Sequence, residues 1–271
     1  KRYKIITLEN SFHGRTITTV KATGQSSFHQ SKFAPYPDGF SFNAIDDVYN
    51  AIDDETVAVM IELVQGEGGV FPFDKEKIKE LAKFLKENDI LLIIDEVQTG
   101  VFRTGEFLAS NLYDIEPDII TLAKGLGGGV PMGAVMTKHK DIWTAGDHGS
   151  TFGGNYLVTA AALEVLDILE NLKDSGTLDE TIIYFTKKLN DIFEANRDIF
   201  ITHVGLGLMR GLRVKDADTL ASLIKTAFEC GVMVLKSGNN TLRFLPALTI
   251  SKSEIDEGFI RLQKAITKIK S

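Results

Sequence analysis

The stretch Ile90-Leu91-Leu92-Ile93-Ile94-Asp95 decides the fold. Its apolar run is continuous, of strand length, and free of the alternation that marks a half-exposed strand. Parallel strands covered on both faces have this pattern. Asp95 is the first polar residue after the run, so the strand delivers a carboxylate to its carboxyl end, the edge where open α/β sheets bind ligands. Upstream, Ile78, Leu81, Ala82 and Leu85 recur at the three-and-four spacing of one helix face, with Asp74 placed to cap. Beyond that helix, Val57 to Val64 and Ile5 to Leu8 read as strands, and downstream so do Ile119 to Leu122 and Ala134 to Thr137. Strands alternating with helices predict an α/β fold on a mostly parallel sheet flanked by helices.

Past Asn155 the pattern changes. Tyr156 to Leu172 reads as a long helix with Val158, Ala162, Val165, Leu169 and Leu172 on one face, and a second helix follows from Leu178 to Ala195. Ile199 to Val214 is strand-like with breaks at Gly205, Gly207 and Gly211. Helix Ala217 to Cys230, strands Val232 to Leu235 and Leu242 to Leu245, and helix Lys252 to Ile269 complete the chain. The expected division is a large domain over residues 1–160 and a linking helix with a small α+β domain over 161–271.

Composition narrows the function classes. The 271 residues are 44% hydrophobic and 25% charged, ordinary for a folded domain and far from disordered usage. A net charge of -7 with scattered basic residues argues against nucleic acid or an anionic membrane as partner. Cys230 has no second cysteine to pair with, and there is no apolar run of membrane-spanning length or signal-peptide core. A cytoplasmic protein is the expectation. The five histidines lack paired metal-ligand spacing, so no metal is expected. The opening Lys1-Arg2-Tyr3-Lys4-Ile5-Ile6 has no methionine and enters a strand almost at once, as a chain lacking its N-terminal part would.

Lys124 follows the strand Ile119 to Leu122 as Asp95 follows its own, 29 residues earlier, about one strand-to-strand crossover. Taken singly, an aspartate after a strand is most often a turn former and a lysine a solvated surface group. The loop Gly125-Leu126-Gly127-Gly128-Gly129 strengthens the functional reading, because glycines let backbone approach a ligand closely. It leads into Val130-Pro131-Met132 and a strand, not into the helix N-terminus that a dinucleotide pyrophosphate needs.

Six motifs then carry a family resemblance. Ser11-Phe12-His13-Gly14-Arg15-Thr16, Glu62-Leu63-Val64-Gln65-Gly66-Glu67-Gly68-Gly69, Asp95-Glu96-Val97-Gln98-Thr99-Gly100 and Leu122-Ala123-Lys124-Gly125 resemble class III pyridoxal-phosphate-dependent aminotransferases. So do His148-Gly149-Ser150-Thr151-Phe152-Gly153-Gly154-Asn155 and Leu242-Arg243-Phe244. The resemblance implies fold-type I architecture with the large domain N-terminally truncated. It implies pyridoxal 5'-phosphate as cofactor and a homodimer with shared active sites. The family's N-terminal segment and Gly/Ser/Thr-rich phosphate loop are not in this sequence, so a main phosphate anchor is expected outside it.

Residue by residue, the resemblance makes Lys124 the lysine that holds the cofactor and afterwards carries a proton to and from the substrate's amine-bearing carbon, both tasks for a primary amine. Asp95 would partner the protonated ring nitrogen. Phe12 would stack on one ring face and Val97 pack on the other. Gln98 would bond the ring's phenolic oxygen, and Thr151 would reach the phosphate of the neighbouring subunit's cofactor. Arg15 and Arg243 would read substrate carboxylates, as planar bidentate donors can. Glu67 would pair with Arg243 and release it when the oxo acid binds, Glu62 would support the reacting centre, and Ser150 would join the substrate contacts. Within the class, the combination of the motifs at 12–16, 65–69 and 124–134 most resembles members acting on N-acetylornithine with 2-oxoglutarate in arginine biosynthesis. Ornithine, 4-aminobutyrate and succinylornithine remain open as donors, and an inactive fragment is the alternative from another class.

Overall fold

The computed structural model describes residues 1–140 and 142–270. They form two compact units, one of Lys1–Gln65, Phe73–Val101 and Glu106–Asp167, the other of Gly66–Pro72, Phe102–Gly105 and Ile168–Ser271.

The first unit is built on a six-stranded sheet. Its strands are β1 (Lys4–Leu8), β2 (Phe40–Asn43), β3 (Thr56–Ile61), β4 (Leu91–Asp95), β5 (Ile119–Leu122) and β6 (Ala134–Thr137). Their spatial order is β2-β1-β3-β4-β5-β6. The first five are mutually parallel and β6 runs antiparallel to β5. Asp95 stands in register with Thr121 on the neighbouring strand. The apolar run therefore does become a central strand, with Leu92 and Ile94 buried. One face of β4 is covered by the helix Lys75–Glu87, which buries Ile78, Leu81 and Leu85 and is capped by Asp74 accepting the Lys77 N–H at 3.0 Å.

Two details of this unit depart from the sequence reading. The expected strand from Val57 to Val64 stops at Ile61, because the Leu63 carbonyl accepts from the Phe73 N–H and the Tyr113 hydroxyl instead of a sheet neighbour. Glu62 is thereby released past the strand end. The short edge strand β2 was not anticipated at all.

The second unit carries a four-stranded antiparallel sheet of β7 (Phe200–Leu206), β8 (Met209–Val214), β9 (Leu235–Ser237) and β10 (Thr241–Phe244), in the order β9-β10-β8-β7. Helices Thr177–Ala195, Ala217–Glu229 and Lys252–Lys270 complete it. The β7–β8 turn needs Gly207: its φ is +54°, and a Cβ there would sit 2.4 Å from the Thr104 carbonyl carbon. The expected strands at 232–235 and 242–245 are displaced to β9 and β10. Asn239 and Asn240 turn the chain through left-handed φ of 50° and 51°, a conformation asparagine tolerates. Phe185, Phe244 and Phe259 meet with ring centroids 5.2 to 6.3 Å apart and anchor the core. Among the described residues no helix is long and apolar enough to cross a membrane.

Candidate active site

Four adjacent parallel strands end at the same sheet edge, and each delivers a polar group. The segment after β1 supplies His13, β3 supplies Glu62, β4 ends in Asp95, and β5 leads into Lys124. Asp95 is buried and fixed on both oxygens. Its Oδ1 accepts from the Val97 N–H and the Thr121 hydroxyl, each at 3.1 Å, and its Oδ2 lies 2.8 Å from Nδ1 of His13. A carboxylate so supplied with donors is held in one orientation at the strand end.

Glu62 is also buried and accepts the Phe12 N–H at 2.9 Å. Burial pushes its carboxyl from the ordinary 4.5 up to about 7, assisted by the Asp95 charge and opposed by His13, the Phe12 N–H and Lys124. The sign of the linkage follows. The folded state holds this proton up to near pH 7 while the unfolded chain loses it near 4.5, so stability is full below 4.5 and falls as pH rises through that window. The loss amounts to roughly 3 kcal/mol at 1.36 kcal/mol per pKa unit. Urea unfolding at about pH 5 and about pH 7.5 should register it, and Glu62→Gln should flatten the difference. An unchanged slope in the variant would remove Glu62 as its source.

Lys124 opens a short 3-10 turn, Lys124–Gly127, with its own φ at +47°. The left-handed backbone of a non-glycine residue is strained, as is common where a side chain must be aimed. The turn ends at Gly128, φ +59°, where a Cβ would come within 2.4 Å of Val165 Cγ2. Beside Asp95, Glu96 serves a structural purpose. Its carboxylate accepts from Thr99 Oγ1 at 2.5 Å, Ala109 N at 3.0 Å, Ser110 N at 2.8 Å and Ser110 Oγ at 3.0 Å. This caps the short helix Ala109–Tyr113 and holds the turn that presents Val97 and Gln98. Both of those are half-buried, and Nε2 of Gln98 is buried with no hydrogen-bond partner. Such an amide costs stability unless a bound group accepts from it.

Phe12 meets Phe28 edge-on at 5.3 Å. The Arg15 guanidinium lies 5.0 Å from the Phe28 ring centroid and 5.8 Å from that of Phe12. Arg15 is exposed and lines a cavity of about 390 Å³ with Val20, Phe28, Phe33 and Tyr36. Ser150 and Thr151 are exposed in the loop that precedes the helix Tyr156–Asp174.

In the second unit, Arg243 on β10 is buried. It pairs with Glu67 Oε1 at 2.7 Å and donates to the Gly66 carbonyl at 3.0 Å. The loop bearing Glu67 is stitched down: Ser237 Oγ donates to Gly66 O at 2.7 Å and accepts the Gly69 N–H at 3.0 Å, and Asn239 donates to Gly68 O at 2.8 Å.

Two residues of the first cluster escaped the sequence reading, His13 as the partner of Asp95 and Thr121 as its hydroxyl donor. His13 sits inside a motif already singled out, but nothing local announces a partner 82 residues away. Together the described groups suit pyridoxal phosphate: Lys124 for covalent attachment, Asp95 to accept from a cationic ring nitrogen, and the unpartnered Gln98 amide to donate to a phenolic oxygen.

Comparison with known proteins agrees. Residues 1–266 match the family model for "Aminotransferase class-III". The chain is 57% identical over 99% of its length to the acetylornithine aminotransferase of Wolinella succinogenes, spanning 68% of that protein. It is 42% identical over 98% of its length to the succinylornithine transaminase of Salmonella enteritidis, spanning 67%. The crystal structure of ornithine aminotransferase from Toxoplasma gondii superposes with a TM-score of 0.91 at 30% identity, covering all of this chain and 66% of that one. Motifs, sheet-edge geometry and relatives lead to one conclusion: the chain belongs to the class-III aminotransferases, which are pyridoxal-phosphate-dependent transaminases.

Proposed function

We propose that this protein transfers the terminal amino group of N-acetyl-L-ornithine to 2-oxoglutarate, giving glutamate and N-acetylglutamate semialdehyde, a cytoplasmic step of arginine biosynthesis. The observation that carries the reading is the 57% identity to an acetylornithine aminotransferase, together with the full set of strand-end groups. When bound, pyridoxal phosphate supplies the electron sink that lets a proton leave the amine-bearing carbon. Lys124 Nζ holds the cofactor and then takes and returns that proton. Asp95 keeps a proton at the ring nitrogen by offering it a fixed, buried acceptor. Gln98 donates to the phenolic oxygen, and Phe12 and Val97 confine the ring. Arg15 binds one substrate carboxylate. Arg243 binds another once Glu67 gives it up, which lets the enzyme take two differently charged substrates in turn. Ser150 adds to the substrate contacts.

The same reading includes a homodimer. Trp143, Phe152, Tyr156, Leu157 and Leu163 are 60 to 96% exposed, large apolar side chains of the kind that a subunit interface covers. Thr151 lies within that stretch, and in the dimer it contacts the phosphate of the neighbouring subunit's cofactor.

The succinylornithine relative favours one second reading, a donor carrying a larger acyl group. Steady-state kinetics on a panel of amine donors separates these. The expected order is N-acetylornithine first, with kcat/KM at least about tenfold above 4-aminobutyrate. Equal turnover of 4-aminobutyrate would overturn the assignment, and a preference for succinylornithine would move it to the second reading.

A further inference from the structure

Arg15 is a cation without an acid. Among the described residues no carboxylate pairs with its guanidinium, which lies over the Phe28 ring at 5.0 Å and the Phe12 ring at 5.8 Å. It opens onto the cavity of about 390 Å³, whose walls are the rings of Phe28, Phe33 and Tyr36 and the aliphatic side chains of Ile17 and Val20. Among the described residues no carboxylate lines this cavity. A second cation stands beside one wall, the Lys32 ammonium 5.0 Å from the Phe33 ring centroid.

The walls are held in place. Two short 3-10 turns, Ser26–Phe28 and Ser31–Phe33, carry the first two rings. The Tyr36 hydroxyl donates to the Gln30 carbonyl at 2.9 Å. His29 Nε2 lies 3.0 Å from the Val20 carbonyl, and its ring centroid is 5.2 Å from that of Phe42 on β2.

This cavity lies one ring beyond the reacting groups. The Phe12 N–H binds Glu62 at the sheet edge, and the Phe12 ring meets Phe28. Lys124 acts on that same Glu62 from the end of β5. A donor with its terminal amine at Lys124 therefore runs past Phe12 and brings its α-carbon to Arg15 and the aromatic walls. A free α-ammonium there would enter apolar space beside two cations and no protein anion, and would lose hydration as well. An amide is neutral. Its carbonyl can accept from Arg15, which has five N–H donors and spends two on a bidentate carboxylate. Its acyl carbons cover the rings and leave water.

We infer that the cavity walled by Phe28, Phe33 and Tyr36 is the subsite for the acyl group on the donor's α-nitrogen, and that it selects Nα-acylated donors over those with a free α-amine. This rests on the donor reading given above.

The test uses protein reconstituted with pyridoxal phosphate and reads the ratio of kcat/KM for N-acetylornithine to that for ornithine. Phe33 is the wall to vary, because it is 55% exposed and its loss leaves no core cavity. Phe33→Ala uncovers the acyl group, and Phe33→Glu adds a carboxylate that attracts the ornithine ammonium and desolvates poorly against an acyl chain. The expected fall in the ratio is at least about threefold for Phe33→Ala, the size of one apolar carbon left uncovered. For Phe33→Glu it is at least about tenfold. A merely structural defect would slow both donors alike and leave the ratio where it was. A wild-type ratio in Phe33→Glu would overturn the inference, whatever the absolute rates. Should Phe33→Glu not fold, Phe33→Ala decides by the same ratio. Wild-type enzyme that turns over ornithine as well as N-acetylornithine would instead sink the donor reading, and this inference with it.

Discussion

Lys124→Ala is expected to abolish transamination, lowering kcat by at least about 10⁴-fold, and to leave the fold intact. The size follows from the two tasks that end together, covalent attachment and proton transfer at the amine-bearing carbon; neither can be taken over by a methyl group. The fold should survive because Lys124 is solvent-exposed and alanine can occupy the same φ of +47° at no greater strain. Added primary amines should recover part of the proton transfer, whereas loss of stability would not be recovered that way. The check is single-turnover kinetics with and without ethylamine, alongside a thermal melt. Retained turnover in Lys124→Ala would remove the residue from the chemistry.

Asp95→Asn should be nearly as damaging for a different reason. The substitution conserves volume but replaces one acceptor oxygen with a donor amide. Three donors already point at this carboxylate, from Val97, Thr121 and His13. One of them must then face a second donor, and the ring nitrogen loses its anionic partner. Breaking one side of a buried charged pair costs about 3–5 kcal/mol. At 1.36 kcal/mol per decade, kcat should fall roughly 10²- to 10⁴-fold. Steady-state kinetics checks this, and the cofactor's absorbance should shift because its ring nitrogen no longer stays protonated. A variant with wild-type kcat would show that the ring nitrogen does not depend on Asp95.

Much of this was legible in the sequence, and the reasons are local. The run from Ile90 to Ile94 could only be a covered strand, so its next residue had to reach the carboxyl edge. Lys124 was found the same way, from Ile119 to Leu122. Such inferences need only short-range pattern and one rule about where ligands bind. The strand β2 was not legible because Phe-Ser-Phe-Asn gives just four residues of alternation, and a half-exposed edge strand needs no stronger signal. The limits of β9 and β10 were misjudged because apolar residues at 232–234 suggested a strand, whereas the Gly238-Asn239-Asn240 turn sets the register from its own position.

The candidate site divides along the same line. Residues at strand ends follow from the pattern, and the roles of Phe12, Gln98 and Thr151 came only through resemblance. The His13–Asp95 contact could come from neither. It joins the segment after β1 to the end of β4, with β3 between those strands in the sheet. Only the tertiary arrangement brings the two side chains to 2.8 Å. The burial that raises the Glu62 carboxyl to about 7 is likewise a property of the assembled edge and not of the motif that contains it.

The covalent tie between Lys124 and the cofactor is tested most directly by borohydride reduction of the reconstituted protein, followed by peptide mass mapping. A phosphopyridoxyl group on the peptide containing Lys124, and on no other, is the predicted result. The same mass on a different lysine, or no modified peptide from protein that binds the cofactor, would contradict the assignment.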